Sequence, residues 1–334
     1  MHAMIRAAAA AAVTVMLAAC GDSGAGGSED APAGAGFPVT IEHKFGTTEI
    51  PSQPKRVVTV GYTEQDVVLA LGVTPVGERE FLGGYAYRER PWAQAALGGS
   101  EPAAVGGEEI SYERVAAQRP DLIVGVNSGM TEDDYRRLSG IAPTVAQTDE
   151  YIDFGVPWQE QTMTIGRALG REDEARRVVE DVEARFAAAR DEHPEFAGTS
   201  MVLAYGGAGN FGAHTSQDYR AQFFEDLGFE PEQRVDELAG DSFFIDFDDE
   251  HFRLLEQDLV VMYGKRDDVT ADPVVGRLDA VDQERVVYLD LEDQFAGALG
   301  FSSPLSLPYL LEEAVPKLAA AADGDPGTTA PEPR

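Results

Sequence analysis

Apolar positions in the first half of the chain fall in short unbroken runs separated by polar, helix-like stretches. PKRVVTVG (54–61), VTPVGE (73–78), DLIVGV (121–126) and APTVAQ (142–147) are brief, rich in β-branched residues and do not alternate. That is the pattern of strands buried on both faces of a parallel sheet. Between them, EQDVVLALG (64–72) puts Val67, Val68 and Leu71 on one helical face and stops at Gly72. SYERVAAQRP (111–120) reads as a helix with Ser111 as N-cap and Pro120 at its end, and TEDDYRRLSG (131–140) repeats the arrangement. VTIEHKFGTTEI (39–50) alternates around a central glycine and predicts a hairpin.

The second half has the same organisation. TSMVLAYGG (199–207) predicts a strand and YRAQFFEDLGF (219–229) a helix with Ser216 as its N-cap. DDEHFRLLEQDLVVMYG (248–264) predicts a helix and then a strand, ERVVYLDLE (284–292) a strand, and LPYLLEEAVPKLAAAA (307–322) a closing helix. Between the halves lies WQEQTMTIGRALG (158–170), followed by a longer periodic segment over 172–192. In that segment Ala175, Val178, Val179, Val182, Phe186 and Ala189 recur at three- and four-residue steps. At 1.5 Å per residue this helix is about 30 Å long. The expected fold class is α/β: two α/β lobes with short, mainly parallel sheets, joined by a single long helix, with a ligand cleft between the lobes.

GAGNFG (207–212) matches the G-x-G-x-x-G pattern and follows the apolar run MVLAY. A dinucleotide fingerprint needs a helix that starts inside the motif and meets the pyrophosphate with its N-terminus. AHTSQDY follows instead and continues no apolar helical face. The glycines therefore predict a mobile loop at the carboxyl end of a strand, and ligands of open α/β sheets gather at those ends. The same rule selects Tyr62, Tyr85, Tyr87, Arg88, Trp92, Ser128, Phe154 and Trp158 in the first lobe. In the second lobe it selects Tyr205, Phe211, His214, Tyr263, Arg266 and Phe295. A cleft of aromatics with a few arginines suits a large, partly apolar ligand rich in oxygen acceptors.

The ends of the chain change the picture. Residues 1–19 carry Arg6 and then the apolar run Ala7–Ala19, 13 residues. A membrane span needs about 20, so the segment reads as a secretory signal peptide. LAAC resembles a bacterial lipobox, which implies acylation of Cys20, the only cysteine. Residues 20–36 are a Gly/Ser/Ala/acidic tether and 323–334 a tail of similar character, leaving a folded body over 37–322. Within that body the expected divisions are an N-terminal lobe over 37–157, linking helices over 158–192 and a C-terminal lobe over 193–322. The net charge of -33, from 59 acidic and 26 basic residues, argues against nucleic acid as a partner.

Catalytic signatures do not emerge. The chain contains neither H-E-x-x-H nor G-x-S-x-G, and its five histidines (His2, His43, His193, His214, His251) are scattered without zinc spacing. No resident metal or cofactor is expected.

Against this background the chain resembles the substrate-binding lipoproteins of bacterial ABC importers for iron–siderophore complexes, haem and cobalamin. The resemblance runs over nearly all of 37–322. It is carried by PKRVVTVG, ALGVTPVGE, ISYERVAAQRPDLIVG, LSGIAPTV, WQEQTMTIGRALGREDEA, FFEDLGF and SSPLSLPYLLEEAVPKLAAA. It implies a rigid inter-lobe helix, slight closure on ligand, and a monomeric, extracytoplasmic, lipid-anchored binding protein that is not an enzyme. It further implies delivery of a ferric siderophore to a permease with a separate ATPase subunit, iron entering only as part of the chelate. Glu113 and Glu225 match the acidic residues through which the family docks on its permease. Haem or cobalamin carriage, with Tyr205, Tyr263 or His214 as a haem axial ligand, is the alternative, and a secreted α/β enzyme or a sensing module the more distant one.

Overall fold

The computed structural model describes residues 36–81, 89–207 and 209–323. The hairpin expected at the start forms, with Val39–His43 paired antiparallel to Gly46–Ile50. Each half then builds one sheet. The first is five-stranded and wholly parallel, in the order Ala103–Ala104, Gly77–Glu78, Val57–Thr59, Leu122–Gly125, Thr144–Ala146. Its strand order reverses between Val57–Thr59 and Leu122–Gly125, and the loops that leave these two strands lie at the switch point, the usual ligand crevice of such sheets.

The second sheet is six-stranded and mixed. Ser200–Gly207, Leu259–Tyr263 and Val286–Leu289 run parallel, but Asn210–His214 folds back antiparallel on Ser200–Gly207, and Phe244–Asp246 pairs antiparallel with it. This corrects the reading of 205–214: the glycines sit in a hairpin, not a free loop. Two of them face aromatic rings across the ladder. A Cβ on Gly212 would come within 2.2 Å of the Tyr205 hydroxyl, and one on Gly206 within 2.3 Å of the Phe211 ring. Gly207 and Gly209 turn the chain at φ +144° and +83°. The G-x-G-x-x-G pattern thus records a turn and close aromatic packing rather than a phosphate cradle.

Several helices are shorter than their sequence patterns. YRAQFFEDLGF yields only Gln222–Asp226, and Ser216 does not cap it. The Ser216 backbone N–H and Oγ donate instead to Asp236, at 2.8 and 2.6 Å. The helix expected before Leu259 is a 3-10 turn, His251–Leu255.

The long helix spans Glu172–Glu192 and belongs to both halves. Near its start, Ala175 is buried among Ile41, Val57, Val68 and Leu169 of the first half, and Val178 packs there too. Two turns on, Val182 and Phe186 are buried among Phe196, Leu203, Phe223 and Leu310 of the second. Gly166 lets this helix approach Trp158–Leu169, since a Cβ there would meet Ala175 Cβ at 2.4 Å. A stiff rod held in two hydrophobic cores fixes the spacing of the sheets.

The other tie is the segment before the last helix, Ser306–Ala322. Ser303 and Ser306 exchange backbone-to-hydroxyl bonds of 2.9 and 3.1 Å, which is what the SSPLS sequence does locally. The Ser303 hydroxyl then donates to Asp66 of the first half at 2.9 Å. Asp66 also accepts from Trp92 Nε1 at 2.7 Å and from Arg90 at 2.7 Å, and Arg90 bonds both oxygens of Glu78 at 2.9 and 3.0 Å. All three charges are buried, and burial pushes both carboxyls up despite the guanidinium between them.

Candidate functional site

Between the two sheets lies a cavity of about 710 Å³. The first half contributes Tyr62, Phe81 and Phe154 to its wall; the second contributes Tyr205, His214, Tyr219, Arg220, Phe243 and Tyr263. Asn210, Leu291 and Glu292 join the lining, together with backbone at Gly206, Gly207 and Gly300.

Tyr62 leaves the central strand of the first sheet at the switch point. Its hydroxyl accepts from Arg79 Nη2 at 2.6 Å, and the guanidinium lies 4.0 Å from the ring centre. The other Arg79 donors end on the carbonyls of Gly107, Glu108, Val60 and Ser128, so this buried arginine is consumed in holding the Tyr62 wall. Beneath it Glu64 is fully buried and ties the two switch-point loops: it accepts from the backbone N–H of Asn127 at 2.5 Å and of Thr63 at 3.2 Å. Burial raises its pKa. Gly61 leaves that carboxylate its space, since a Cβ there would sit 2.0 Å from it.

Phe154 occupies the left-handed backbone region at φ +65°. Its ring packs 6.1 Å from Tyr62 and 5.5 Å from Phe243, bridging the halves. Non-glycine residues seldom adopt this conformation, and such strain concentrates at functional sites. Phe81 stacks on Phe301 at 4.6 Å. Tyr219 clasps across the cavity base: its backbone N–H donates to Phe154 and its hydroxyl to the Gly300 carbonyl at 2.7 Å.

Opposite, the Tyr205 hydroxyl donates to Asp246 at 2.7 Å; burial, then that carboxylate, raise its pKa. His214, Asp218 and Arg220 form one buried cluster. Arg220 bonds Asp218 through Nε at 2.8 Å and through Nη2, and His214 Nδ1 lies 3.1 Å from the same carboxylate. Burial works against the Asp218 charge, but the guanidinium outweighs it and holds the carboxyl well below its usual range. Burial lowers His214. The cluster as a whole is therefore neutral at pH 7, and Arg220 Nη1 makes no hydrogen bond to the described residues.

The structure brings Tyr62, Phe154, Tyr205, His214 and Tyr263 together on the wall. Tyr85, Tyr87 and Arg88 lie outside the described residues, as does Cys20. The remaining selections sit elsewhere. Trp92 is held by Asp66 and packs on Phe301 and Tyr309. Trp158 is buried at the start of its helix, with Nε1 donating to Asp226 at 3.2 Å. Ser128 is turned back on the Gly125 carbonyl at 2.7 Å. Phe211 alternates to the far face of the hairpin and packs on Phe252. Arg266 is spent on a bidentate pair with Glu284, at 2.9 and 2.6 Å. Phe295 is buried while its neighbour Ala296 faces the cavity.

The sequence reading missed Phe81, Tyr219, Arg220 and Phe243. Phe243 lies just before the strand Phe244–Asp246, where the rule of carboxyl ends does not look. Tyr219 and Arg220 were assigned to a helix that starts later than its pattern suggests. Glu113 and Glu225 are both exposed, on helices of different halves. Among the described residues no group of His, Cys, Asp and Glu could hold a metal ion, and no helix is long and apolar enough to cross a membrane.

Two sheets held apart by a shared rod, with strand ends converging on one aromatic cavity, define a two-lobed solute-binding protein. The chain belongs to the periplasmic binding protein family, whose profile matches residues 57–292. It is 29% identical over 57% of its length to the Fe(3+)-citrate-binding protein YfmC of Bacillus subtilis, and the match spans 58% of that relative. Among solved structures, a periplasmic solute binding protein from Mycobacterium smegmatis is 35% identical with a TM-score of 0.74, over 85% of this chain and 98% of that one. Streptococcus pneumoniae PiaA in complex with ferrichrome is 26% identical with a TM-score of 0.77, over 86% and 99%.

Proposed function

We propose that this chain captures a ferric siderophore in the inter-lobe cavity and delivers it to an ABC permease driven by a separate ATPase subunit. The observation that carries the reading is the aromatic wall built from both halves, a surface for a large, rigid chelate with an apolar periphery. Tyr62, Phe154, Tyr205, His214 and Tyr263 are the proposed contacts legible in the sequence, joined by Phe81, Tyr219, Arg220 and Phe243. A chelate that saturates its own iron needs no protein ligands, so the metal is cargo, the protein performs no chemistry on it, and a monomer suffices. Relatives named for ferric citrate and ferric hydroxamate binding support the class.

Equilibrium dialysis of the full chain against radio-iron chelates tests this. One ferric chelate per chain is retained with sub-micromolar affinity, while the iron-free chelator and haem are not. If no ferric chelate is retained, the reading falls; a Soret shift on adding haem would replace it with haem carriage.

The membrane attachment and docking are tested in cells. Cys20→Ser releases the protein from the membrane fraction, because stable attachment requires the acyl chains. Reversing charge at both Glu113 and Glu225 leaves the protein anchored and its chelate affinity unchanged, but lowers iron uptake at least tenfold. Unchanged uptake would remove these glutamates from the docking surface.

A further inference from the structure

We propose that the cavity selects ferric chelates carrying no charge or a single positive charge, such as tris-hydroxamates, and rejects the polyanionic citrate and catecholate chelates. This rests on the siderophore reading above and narrows it.

Charges on the described wall are few. Arg220 is the one cation that reaches it, and Arg220 is already neutralised by the buried Asp218. Arg79 stands just behind Tyr62, but its donors end on carbonyls and the Tyr62 hydroxyl. At the rim, Lys265 faces two carboxylates, Asp290 at 3.2 Å and Glu292 at 3.7 Å, which leaves that edge net negative. The described wall and rim therefore turn no unpaired cation toward the cavity: the Arg220 charge is matched by Asp218, and the Arg79 charge faces backbone carbonyls behind the Tyr62 ring. A triply negative tris-catecholate would lose its hydration against aromatic rings with no counter-charge, a costly transfer. The acidic surface of the whole chain, net -33, would also slow its approach.

The donors that remain suit a neutral chelate. Arg220 Nη1 and the Asn210 amide offer N–H groups to oxygen acceptors without requiring that those acceptors be anionic. Three hydroxamates neutralise ferric iron and present such oxygens. A pendant ammonium on the same chelate would be drawn to the tyrosine and phenylalanine faces and to Glu292.

Competition titrations of the full chain at physiological salt test the assignment. The four probes are a neutral cyclic tris-hydroxamate, a linear tris-hydroxamate with a free amine, ferric dicitrate and a ferric tris-catecholate. Both hydroxamates are expected to bind at least tenfold tighter than either polyanion. Glu292→Lys should narrow that gap about threefold, with a larger effect at low salt, because the group is exposed and screened. A citrate or catecholate chelate that binds as tightly as the hydroxamates overturns the charge selection and leaves the siderophore reading intact. Binding of none of the four overturns both.

Discussion

Replacing Arg90 by alanine lowers the stability of the fold by about 3–5 kcal/mol, the usual cost of stranding buried charges. Among the described residues Arg90 is the sole cation in contact with Asp66 and Glu78, and all three side chains are buried. Its loss leaves two carboxylates buried near each other and weakens the anchor of Ser303 and Trp92 on Asp66. The melting temperature should fall by roughly 6–20 °C, at 2–4 °C per kcal/mol for a domain of this size. The deficit depends on pH with a definite sign. Both carboxyls are already raised by burial, and removing the guanidinium raises them further. A carboxyl raised in the folded state favours folding below its unfolded pKa, and that advantage is lost as pH rises through the folded value. The variant is therefore closest to the parent near pH 4 and farthest from it above pH 7. A triple change, Asp66→Asn with Glu78→Gln and Arg90→Met, removes the stranded charges and recovers part of the loss. Urea melts across that pH range decide the matter: a deficit under 1 kcal/mol at pH 7, or one that grows on acidification, would contradict the assigned role.

Replacing Phe154 by glycine weakens chelate binding about thirtyfold with little change in stability. The ring spans Tyr62 and Phe243 on the cavity wall. An aromatic face of that kind contributes about 2 kcal/mol when a ligand covers it, which converts to about thirtyfold in Kd. Stability responds differently because two effects oppose each other. Removing a half-buried ring costs packing, but glycine relieves the φ of +65° that phenylalanine holds here. Calorimetric titration gives the affinity and a thermal melt gives the stability. An unchanged Kd would remove Phe154 from the binding surface. A large fall in melting temperature would show that the ring serves the fold instead.

Period and punctuation were enough to read the α/β class, the two halves and the Glu172–Glu192 helix, because each depends on local side-chain spacing. The sheet of the first half followed its continuous β-branched runs. In the second half the glycines of 206–212 read as a mobile loop but turn a hairpin and admit aromatic rings across its ladder, since a loose loop and a tight turn call for the same residue. The rule that ligands sit beyond strand ends picked out Tyr62, Phe154, Tyr205, His214 and Tyr263, which line the cavity. It also selected Trp92, Trp158, Phe211 and Phe295, whose side chains turn into cores. Which way a loop aromatic points depends on neighbours far away in sequence, as when Trp158 meets Asp226.

What the sequence determined by itself was the alternation of elements, the rod between the halves, and the absence of a catalytic or zinc-binding pattern. Each of these is a property of residue type at short separation. Tertiary structure alone decided which aromatics face one another across the cavity. It also decided that Arg79 and Arg90 are held behind the wall by partners, that Arg220 pairs with Asp218, and that Phe154 stands in a strained backbone. Those outcomes depend on contacts between segments tens to hundreds of residues apart, as when Ser303 meets Asp66. A buried ion pair or a ring on a wall carries no local pattern; it exists only once packing has brought its partners within bonding distance.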